Sequence, residues 1–217
     1  MCNLYAQNMP RQQLTQFFGI GDNHACAFEP QNAIFPGDNA IVIKRTQDGR
    51  RVCVRMSWGF VLNLQNCAPK RVTNFRDDKI GSSFWSASLR ERRCLVPATS
   101  FAEPKGKRPA TWHWFALGVR REPFAFAGIW RSYKGPIKTG GETVEIDVYS
   151  IMTTVPNSLV ATVHPSRMPV MLTSPEEQEQ WLNQTPEDAL KNVRSYPSEH
   201  MAIVQSGPER WDTGTPI

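Results

Sequence analysis

Hydrophobic and polar positions alternate most regularly in the first quarter of the chain. Val52, Val54 and Met56 recur at every second position, which is the period of a half-buried strand. A strand-like segment over residues 40–45, apolar from 40 to 43, precedes them, and the Asp-Gly pair at 48–49 is typical of a tight turn. The pattern therefore predicts a β-hairpin that ends just before Ser57-Trp58-Gly59-Phe60.

Further segments of strand-like and helix-like pattern follow, separated by residues 21–39 and 62–83, which read as irregular. The predicted strands are 94–97 and 100–103 (one strand interrupted by Pro97), 111–117, 124–130, 143–154, 167–172 and 201–204. The predicted helices are 10–18, 84–89, a turn at 156–160, one that starts with the capping box Ser174-Pro175-Glu176-Glu177, and a short one from Thr185.

Strands outnumber helices and do not alternate regularly with them, which favours antiparallel pairing over a parallel α/β sheet. The glycine-rich phosphate loops of nucleotide-binding α/β folds are absent from the sequence. No repeat, low-complexity segment or linker divides the chain. The pattern predicts a single compact α+β domain over residues 1–217, rich in β-structure and mostly antiparallel.

Composition supports a folded domain without a membrane span. The chain has 217 residues, of which 40% are hydrophobic, with 7 Trp and 11 Phe. Its longest apolar runs, 40–43 and 124–130, are far shorter than the roughly 20 residues that cross a bilayer. Polar residues such as Asn3, Gln7 and Arg11 interrupt any secretory signal at the start. We expect a soluble, cytoplasmic protein.

Five widely spaced cysteines occur without a C-x-x-C motif. His24-Ala25-Cys26 is the one close Cys/His pair, so neither a disulfide framework nor a zinc site is expected. We expect no metal and no cofactor, and the four internal cysteines to be small buried hydrophobic residues.

The formal net charge is +5, which favours a polyanionic partner. Basic residues cluster at five places, and several clusters flank aromatic residues. The clusters are Arg50-Arg51, Lys70-Arg71, Arg90 to Arg93, Lys105 to Arg108 and Arg120-Arg121, and the flanking rings are Trp58, Phe75, Phe84 and Trp85. Basic grooves lined with stacking rings suit single-stranded nucleic acid, but the same pattern arises from solvated loop charges over core aromatics. Composition leaves both open.

Cys2 directly follows the initiator methionine. Removal of Met1 would leave an α-amine and a thiol on adjacent carbons, with ordinary pKa values of about 8 and about 8.5. Such a pair condenses with an aldehyde to an imine, to which the thiol adds to close a thiazolidine ring. Position alone does not distinguish such a cysteine from one that stands at position 2 without any catalytic role.

Three other polar positions are candidates for chemistry. Glu103 ends an apolar strand, where burial would raise its pKa and suit it to general acid–base work, although a surface salt bridge would explain it equally. His164 follows a predicted helical turn and is a proton shuttle or a loop residue bonded to backbone. The trio Asn74-Phe75-Arg76 combines an amide, a ring and a guanidinium, which would bind a phosphate and a deoxyribose or simply belong to a loop.

Taken together, these residues resemble the SRAP family, the SOS response-associated peptidase domains that protect abasic sites in single-stranded DNA by covalent attachment. The resemblance spans residues 2 to 172 and rests on motifs in family order: Cys2, Trp58-Gly59, Asn74-x-Arg76, Arg93-Cys94-Leu95-Val96-Pro97 with Phe101-x-Glu103, and His164 before Arg167-Met168-Pro169-Val170-Met171-Leu172.

The resemblance implies a barrel-like core with peripheral short helices, and a role for each matching residue. Cys2 would form the thiazolidine with the ring-opened sugar, Asn74 would position the linkage, Glu103 would manage protons, and His164 would assist ring opening. The implied DNA contacts are Arg76 on a phosphate, Phe75 and Arg167 beside the strand, and Trp58 and Trp85 as stacking rings.

The same resemblance implies a DNA damage response protein with associated lyase and self-processing peptidase activity. Its partner would be single-stranded DNA with abasic sites, and we expect a monomer that is nucleoid-associated when bound to DNA. Two alternatives stay open: a thiol peptidase that uses Cys2 with His164 or Glu103, and a non-catalytic single-stranded DNA-binding protein.

The chain departs from the usual family pattern near several of these motifs. Asn3-Leu4-Tyr5 replaces the common Gly-Arg-Phe, which removes an arginine expected to contact DNA. Asp77-Asp78 follows Arg76, and Pro104 rather than tryptophan follows Glu103. These changes affect the expected DNA contacts more than the expected chemistry, because Cys2 and its predicted partners are retained.

Overall fold

The structure is a computed structural model that describes residues 2–21, 27–64 and 67–214. The strands in these ranges are β1 Tyr5–Gln7, β2 Gln31–Ile34, β3 Asn39–Arg45, β4 Arg51–Trp58, β5 Phe60–Leu62, β6 Lys70–Val72, β7 Asn74–Arg76, β8 Arg93–Ala98, β9 Ser100–Lys105, β10 Thr111–Leu117, β11 Phe124–Pro136, β12 Thr143–Thr154, β13 Met168–Pro169, β14 Met171–Leu172 and β15 Met201–Gly207. The helices are α1 Arg11–Phe18, α2 Ser83–Glu91, α3 Ser158–Ala161, α4 Pro175–Asn183 and α5 Pro186–Lys191, with 3-10 turns at Asp77–Lys79 and Ser198–His200.

Five strands form a closed barrel. Their order is β12-β4-β3-β8-β11, and β11 pairs back onto β12 to complete the ring. Four of the five ladders are antiparallel and the β4–β12 ladder is parallel. The predicted hairpin is the β3–β4 ladder, in register from Asn39↔Ser57 to Arg45↔Arg51. The predicted α+β class with a barrel-like core is therefore confirmed.

Alternate residues of the barrel strands belong to two hydrophobic clusters, because successive strand side chains point to opposite faces. On β3, Ile41 and Ile43 pack with residues of α1, α2, α4 and α5. Ala40 and Val42 pack instead with residues of β1, β9 and β10. One face of the strands is thus covered by helices and the other by a second sheet.

The second sheet, called the open sheet here, has the order β15-β10-β9-β1-β2. Tyr5 on β1 fastens it to the barrel: its ring meets Trp58 at 4.9 Å and Phe126 at 5.5 Å, both edge-on. The Tyr5 hydroxyl lies 2.5 Å from that of Tyr149. Cys2, three residues before Tyr5, belongs to the same cluster of barrel and open-sheet residues.

Residues Glu209–Gly214, called the C-terminal strap here, cross the open sheet. The strap contacts all five strands, or the residue that follows one: Gln205 of β15 with Trp211 and Thr213, Trp112 and Trp114 of β10 with Arg210 and Glu209, Ser100 of β9 with Asp212, Asn8 after β1 with Gly214, and Asn32 of β2 with Asp212. Asp212 is fully buried and also accepts hydrogen bonds from Arg121 at 3.0 Å.

The helix signals in the sequence are confirmed. Helix α1 ends at Gly19, which adopts a left-handed φ of 61° as a C-terminal cap. Helix α4 has the full capping box, in which Ser174 and Glu177 satisfy each other's backbone amides. Helix α5 begins after Thr185, whose side chain accepts a hydrogen bond from the Asp188 amide.

The segments predicted as irregular contain strands that depend on distant partners. Strand β2, within 21–39, pairs with β1, and β7, within 62–83, pairs in parallel with β12. Pro97 does not interrupt a strand as predicted: it lies inside β8, and the chain changes sheets at Thr99 instead. Short strands whose pairing is entirely non-local carry little periodic signal of their own.

The prediction for the internal cysteines is wrong at two positions. Cys94 is a buried thiol, but Cys67 is exposed and Cys53 is disulfide-bonded. A disulfide depends on the spatial approach of two thiols, which spacing along the sequence does not reveal. The pair His24 and Cys26 lies outside the described residues. In the ranges that the structure describes, no helix is long and apolar enough to cross a membrane, and no cluster of three or more metal-ligating side chains occurs.

Candidate active site

Cys2 lies beside strand β9, because the segment that leads into β1 runs antiparallel to it. The Ala102 amide donates to the Leu4 carbonyl at 2.9 Å, and Tyr5 pairs with Phe101. This ladder carries Cys2 toward Glu103, whose charge acts on the Cys2 thiol. Cys2 has no exposed surface, and its Sγ donates weakly to the Leu4 carbonyl at 3.6 Å.

The Cys2 thiol is held in its neutral form. Burial raises its pKa well above the ordinary range, and the negative charge of Glu103 raises it further. A neutral thiol is a weak nucleophile until a base takes its proton. Chemistry at Cys2 in this environment therefore depends on a neighbouring proton acceptor.

Glu103 is a buried carboxyl group suited to that task. It lies on β9 opposite His113 and is only 1% exposed. Burial raises the pKa of Glu103 from 4.5 to about 7, against a lowering by the positive charge at the amino terminus. A carboxyl group with a pKa near 7 is present in both protonation states at neutral pH, which is the condition for general acid–base catalysis.

Asn74 anchors the backbone of Cys2. It begins β7, which lies parallel to β12 with Asn74 beside Ile151. Its amide Nδ2 donates to the Cys2 carbonyl at 2.7 Å and to Thr73 Oγ1 at 2.9 Å. Its Oδ1 is buried and accepts no hydrogen bond from any part of the chain that the structure describes. The side chain thus holds the backbone of Cys2 in place and leaves Oδ1 as an acceptor for a further hydrogen bond.

His164 approaches the same region from the loop after α3. Val160 packs in the cluster that contains Cys2, and Val163 borders it. Burial lowers the pKa of His164, and the charge of the amino terminus lowers it further. Its Nδ1 lies 3.0 Å from the Arg167 carbonyl oxygen and 3.3 Å from the Arg167 amide nitrogen. The shorter contact favours a proton on Nδ1 and therefore a basic lone pair on Nε2.

The four residues predicted to carry the chemistry thus come from both halves of the fold. Cys2 and Glu103 belong to the open sheet, Asn74 is attached to barrel strand β12, and His164 follows α3. The charge of the amino terminus influences the pKa values of Cys2, Glu103 and His164 alike, after burial as the main cause. The sequence placed these residues at 2, 74, 103 and 164, and only the tertiary structure brings them to one region.

The three rings predicted to contact DNA lie in the core. Trp58 and Phe75 are 0% and 1% exposed, and Trp85 is 8% exposed. The Trp58 indole donates to the Thr73 carbonyl at 3.1 Å, while Phe75 packs on Trp85 at 5.5 Å. In this conformation none of the three presents a ring face to a bound strand, and stacking on them stays an untested prediction.

The two arginines predicted to contact DNA differ in exposure. Arg76 is 42% exposed and pairs with the Asp78 carboxylate through both Nε, at 2.7 Å, and Nη2. Arg167 is only 9% exposed, and its Nη2 donates to Asp77 and to the Thr153 carbonyl. Arg76 is therefore accessible to a phosphate that displaces Asp78, whereas Arg167 braces the 3-10 turn against β12.

Several of the basic clusters serve the fold. Arg51 binds the Phe18 carbonyl and Glu179, Arg71 binds the carbonyls of Trp58 and Gly59, and Arg93 binds those of Leu89, Trp181 and Gln184. Pattern alone could not separate such arginines from those of a binding groove, because both kinds flank aromatic residues.

Sequence analysis missed Thr73 and Asn3. Thr73 Oγ1 donates to Asn3 Oδ1 at 3.0 Å and accepts from Asn74. A threonine in a segment read as irregular gives no signal of its own. The one hint in the sequence is that Asn3 stands where the family commonly has Gly. A polar side chain next to a reactive residue is expected to have a hydrogen-bond partner.

Comparisons with known proteins agree on one family. The sequence profile described as SOS response associated peptidase (SRAP) matches residues 1–208. The "Abasic site processing protein YoqW" of Bacillus subtilis (strain 168) is 28% identical over 209 residues, covering 88% of this chain and 83% of its own. The "Abasic site processing protein YobE" of the same strain is 27% identical over 187 residues, covering 78% and 74%.

Solved structures share the fold. A protein from Bordetella bronchiseptica superposes with a TM-score of 0.74 at 20% identity, covering 95% of this chain and 98% of its own. A protein from Bacteroides thetaiotaomicron gives a TM-score of 0.72 at 19% identity, with 93% and 90% covered. At these identities the likeness establishes the architecture alone.

Proposed function

This chain belongs to the SRAP family, and on that premise we propose that it processes abasic sites in DNA by covalent attachment through Cys2. Relatives named as abasic site processing proteins support the substrate class. The observation that carries the proposal is the setting of Cys2: Asn74 holds its carbonyl at 2.7 Å, and Glu103, with a pKa of about 7, acts on its thiol.

The proposed reaction requires that Met1 be removed, since the amine of Cys2 is otherwise part of a peptide bond. The free amine attacks the C1′ aldehyde of the ring-opened abasic sugar, and loss of one water gives an imine. The Cys2 sulfur then bonds to the imine carbon, and the thiol proton ends on the ring nitrogen. One water leaves in total, and a thiazolidine links protein and DNA.

Proton transfer in this sequence falls to Glu103 and His164. The carboxylate form of Glu103 accepts a proton from the amine or thiol, and its acid form protonates the departing hydroxyl of the carbinolamine. The lone pair on His164 Nε2 assists opening of the sugar ring by taking the proton of its C1′ hydroxyl. The C1′ carbonyl forms, the C1′–O4′ bond breaks, and O4′ receives the proton. Asn74 keeps the Cys2 backbone fixed throughout, which limits the entropy lost on ring closure.

Lyase activity follows from the same imine. The imine makes the C2′ proton acidic, so that a base can remove it and the electron pair can expel the 3′ phosphate, which breaks the strand. Closure of the thiazolidine consumes the imine and suppresses this cleavage. Self-processing, the hydrolysis of the Met1–Cys2 bond, would use the same acid–base groups on a water molecule.

DNA binding would draw on the exposed basic residues, with Arg76 exchanging Asp78 for a backbone phosphate as a charge-assisted partner. We propose single-stranded DNA with an abasic site as the partner and a monomer as the working form. Electrostatic attraction would localise the strand, and the covalent bond would make the attachment durable.

The setting of Cys2 weighs against a general thiol peptidase. Such an enzyme needs a thiolate paired with a base, whereas burial keeps the Cys2 thiol neutral and its Sγ donates to the Leu4 carbonyl. A non-catalytic single-stranded DNA-binding protein would bind undamaged and abasic strands equally and would not depend on Cys2.

Incubation with a single-stranded abasic oligonucleotide tests the proposal. Protein whose Cys2 amino terminus is verified by intact mass should form an adduct that survives SDS, with the mass of protein plus DNA minus one water. Without a reductant, Cys2→Ala and Cys2→Ser should form no stable adduct, whereas borohydride should trap the imine that the amine of either variant forms. Absence of the wild-type adduct, or an undiminished adduct in Cys2→Ala without a reductant, contradicts the proposal.

A further inference from the structure

A short hydrogen-bond relay connects both ends of the peptide between Cys2 and Asn3. Asn74 Nδ2 donates to the Cys2 carbonyl at 2.7 Å and to Thr73 Oγ1 at 2.9 Å, and Thr73 Oγ1 donates to Asn3 Oδ1 at 3.0 Å. One end of the relay thus holds the backbone of Cys2 and the other holds the side chain of the next residue. Thr73 is the link between them.

The relay has one consistent direction. A threonine hydroxyl carries a single proton, and in Thr73 this proton goes to the carbonyl oxygen of the Asn3 side chain. The hydroxyl lone pair is then free to accept from Asn74, whose two amide protons are both used. A reversed Asn74 amide would face the Cys2 carbonyl with its own oxygen, so the relay fixes the amide orientation.

This orientation has a consequence for the site. Asn74 Oδ1 is left buried without a hydrogen bond from the part of the chain that the structure describes. An unsatisfied buried acceptor is destabilising, and the fold retains it beside the reactive residue. A donor that arrives with the reaction, such as the free amine of Cys2, would satisfy it.

The bond to Asn3 is not a by-product of burial. Asn3 is exposed, whereas Thr73 is 8% exposed and its backbone carbonyl is already occupied by the Trp58 indole. The exposed amide of Asn3 could bond to water instead. Its bond to Thr73 therefore restrains the residue that follows Cys2, whose amine and thiol lie on adjacent carbons.

We propose that Thr73 is a positioning residue for the reaction at Cys2, acting through Asn74 and Asn3. This inference rests on the proposed function. The hydroxyl of Thr73 holds the Cys2–Asn3 peptide at both ends, so that the amine and thiol of Cys2 keep the rotation in which both reach the same aldehyde carbon. Loss of the hydroxyl slows the covalent step and leaves DNA binding unchanged.

A matched pair of substitutions separates the hydroxyl from the shape of the side chain. Thr73→Val keeps the volume and branching but removes both hydrogen bonds, and Thr73→Ser keeps the hydroxyl and removes the methyl group. Adduct formation is measured in single turnover against increasing concentrations of the single-stranded abasic oligonucleotide. This yields a maximal rate and a half-saturating DNA concentration for each protein.

We expect the maximal rate to fall about tenfold in Thr73→Val, the equivalent of one hydrogen bond, with the half-saturating concentration unchanged. Thr73→Ser should restore the rate to within about twofold. Asn3→Ala should also slow the step, and adding it to Thr73→Val should cost little more, because both break one relay. Circular dichroism and thermal melting confirm that each variant is folded.

Three outcomes overturn the inference. A wild-type rate in Thr73→Val removes the role of the hydroxyl, and equal losses in Thr73→Val and Thr73→Ser assign the effect to packing of the methyl group. A change confined to the half-saturating concentration makes Thr73 a DNA contact. Failure of the wild-type protein itself to form an adduct is a different result, because it contradicts the proposed function from which the inference starts.

Discussion

The barrel closes on itself, so each of its five strands is bonded to a neighbour on both sides, whereas the open sheet ends at β15 and β2. The longest barrel ladders have nine residue pairs between β11 and β12 and seven between β3 and β4, although one pair joins β3 to β8 and two pairs join β4 to β12. By contrast, β1 is only three residues long and its register with β2 is irregular. Cys2 precedes β1 and is therefore held by a short strand of the sheet that has open edges.

The C-terminal strap offsets this weakness from outside the sheet. It bonds to all five strands or their immediate flanks, and its buried Asp212 joins Ser100 on β9 to Arg121. It also lies beyond residue 208, where the match to the family profile ends. A closed barrel needs no such support, since ring closure leaves no edge. The comparison indicates that stability resides in the barrel, while the site depends on how well β1 is held.

Removal of a large side chain that packs against the barrel should have the greatest effect on stability. Trp181 of α4 is 2% exposed, and its indole donates to the carbonyls of Cys94 on β8 and Gly128 on β11. Trp181→Ala should lower the free energy of unfolding by about 3–5 kcal/mol through lost burial and a cavity. Urea unfolding measures it.

The control for this substitution is Trp211→Ala in the strap, where the ring is 53% exposed. A change within about 0.5 kcal/mol is expected there. Equal losses in the two variants would contradict the assignment of stability to the barrel.

The open sheet should respond to pH through Glu103. Its pKa rises from 4.5 to about 7 on folding, so the folded state binds the proton more tightly than the unfolded chain. The contribution of Glu103 to stability is then greatest below pH 4.5 and is lost as pH rises to about 7, by about 3 kcal/mol in all. Glu103→Gln removes this loss, so its stability relative to wild type should increase from pH 5 to pH 8.

Urea unfolding at both pH values checks this dependence. Glu145→Gln, at a carboxylate that is 73% exposed, should follow the wild-type pH profile. A constant difference between Glu103→Gln and wild type across the range would show that Glu103 is not held in the state described.

The smallest of the three effects is expected at the strap. Asp212→Ala leaves the Ser100 hydroxyl and Arg121 without their shared acceptor, which should cost about 2 kcal/mol. The loss should be local, with faster hydrogen exchange of the Thr99 and Ala102 amides, which donate to Ala6 and Leu4. Exchange in the β8–β11 ladder should stay at the wild-type rate.

The matched control is Glu209→Ala, because Glu209 contacts Trp114 through its backbone carbonyl. That variant should leave the exchange of both amides unchanged. Uniform acceleration across barrel and open sheet in Asp212→Ala would instead show that the two regions open together.

Local signals made part of this structure predictable. The β3–β4 hairpin, the glycine that ends α1 and the capping box of α4 were all visible, because each is decided by residues within one or two turns of chain. The chemistry-bearing residues Cys2, Asn74, Glu103 and His164 were visible too, as a set of types in a family order. The structure brings Cys2, Asn74 and Glu103 together, and their catalytic roles stay a prediction.

Other features had no local signal. Strand β7 exists because β12 lies beside it, and the change of sheets at Thr99 exists because β8 and β9 have different distant partners. Arg76 and Arg167 were both candidates for contact with DNA, and only the structure showed that Arg167 is buried.

The sequence by itself thus determined the reactive residue types, the helix ends and the β3–β4 hairpin. The tertiary structure alone decided that Trp58 and Phe75 are core residues, that Glu103 has a pKa of about 7, and that Thr73 reaches Asn3. The physical reason is that the burial of a residue and its hydrogen bonds to distant segments depend on how the whole chain folds. A residue type carries its chemistry with it, but its environment comes from every strand that packs around it.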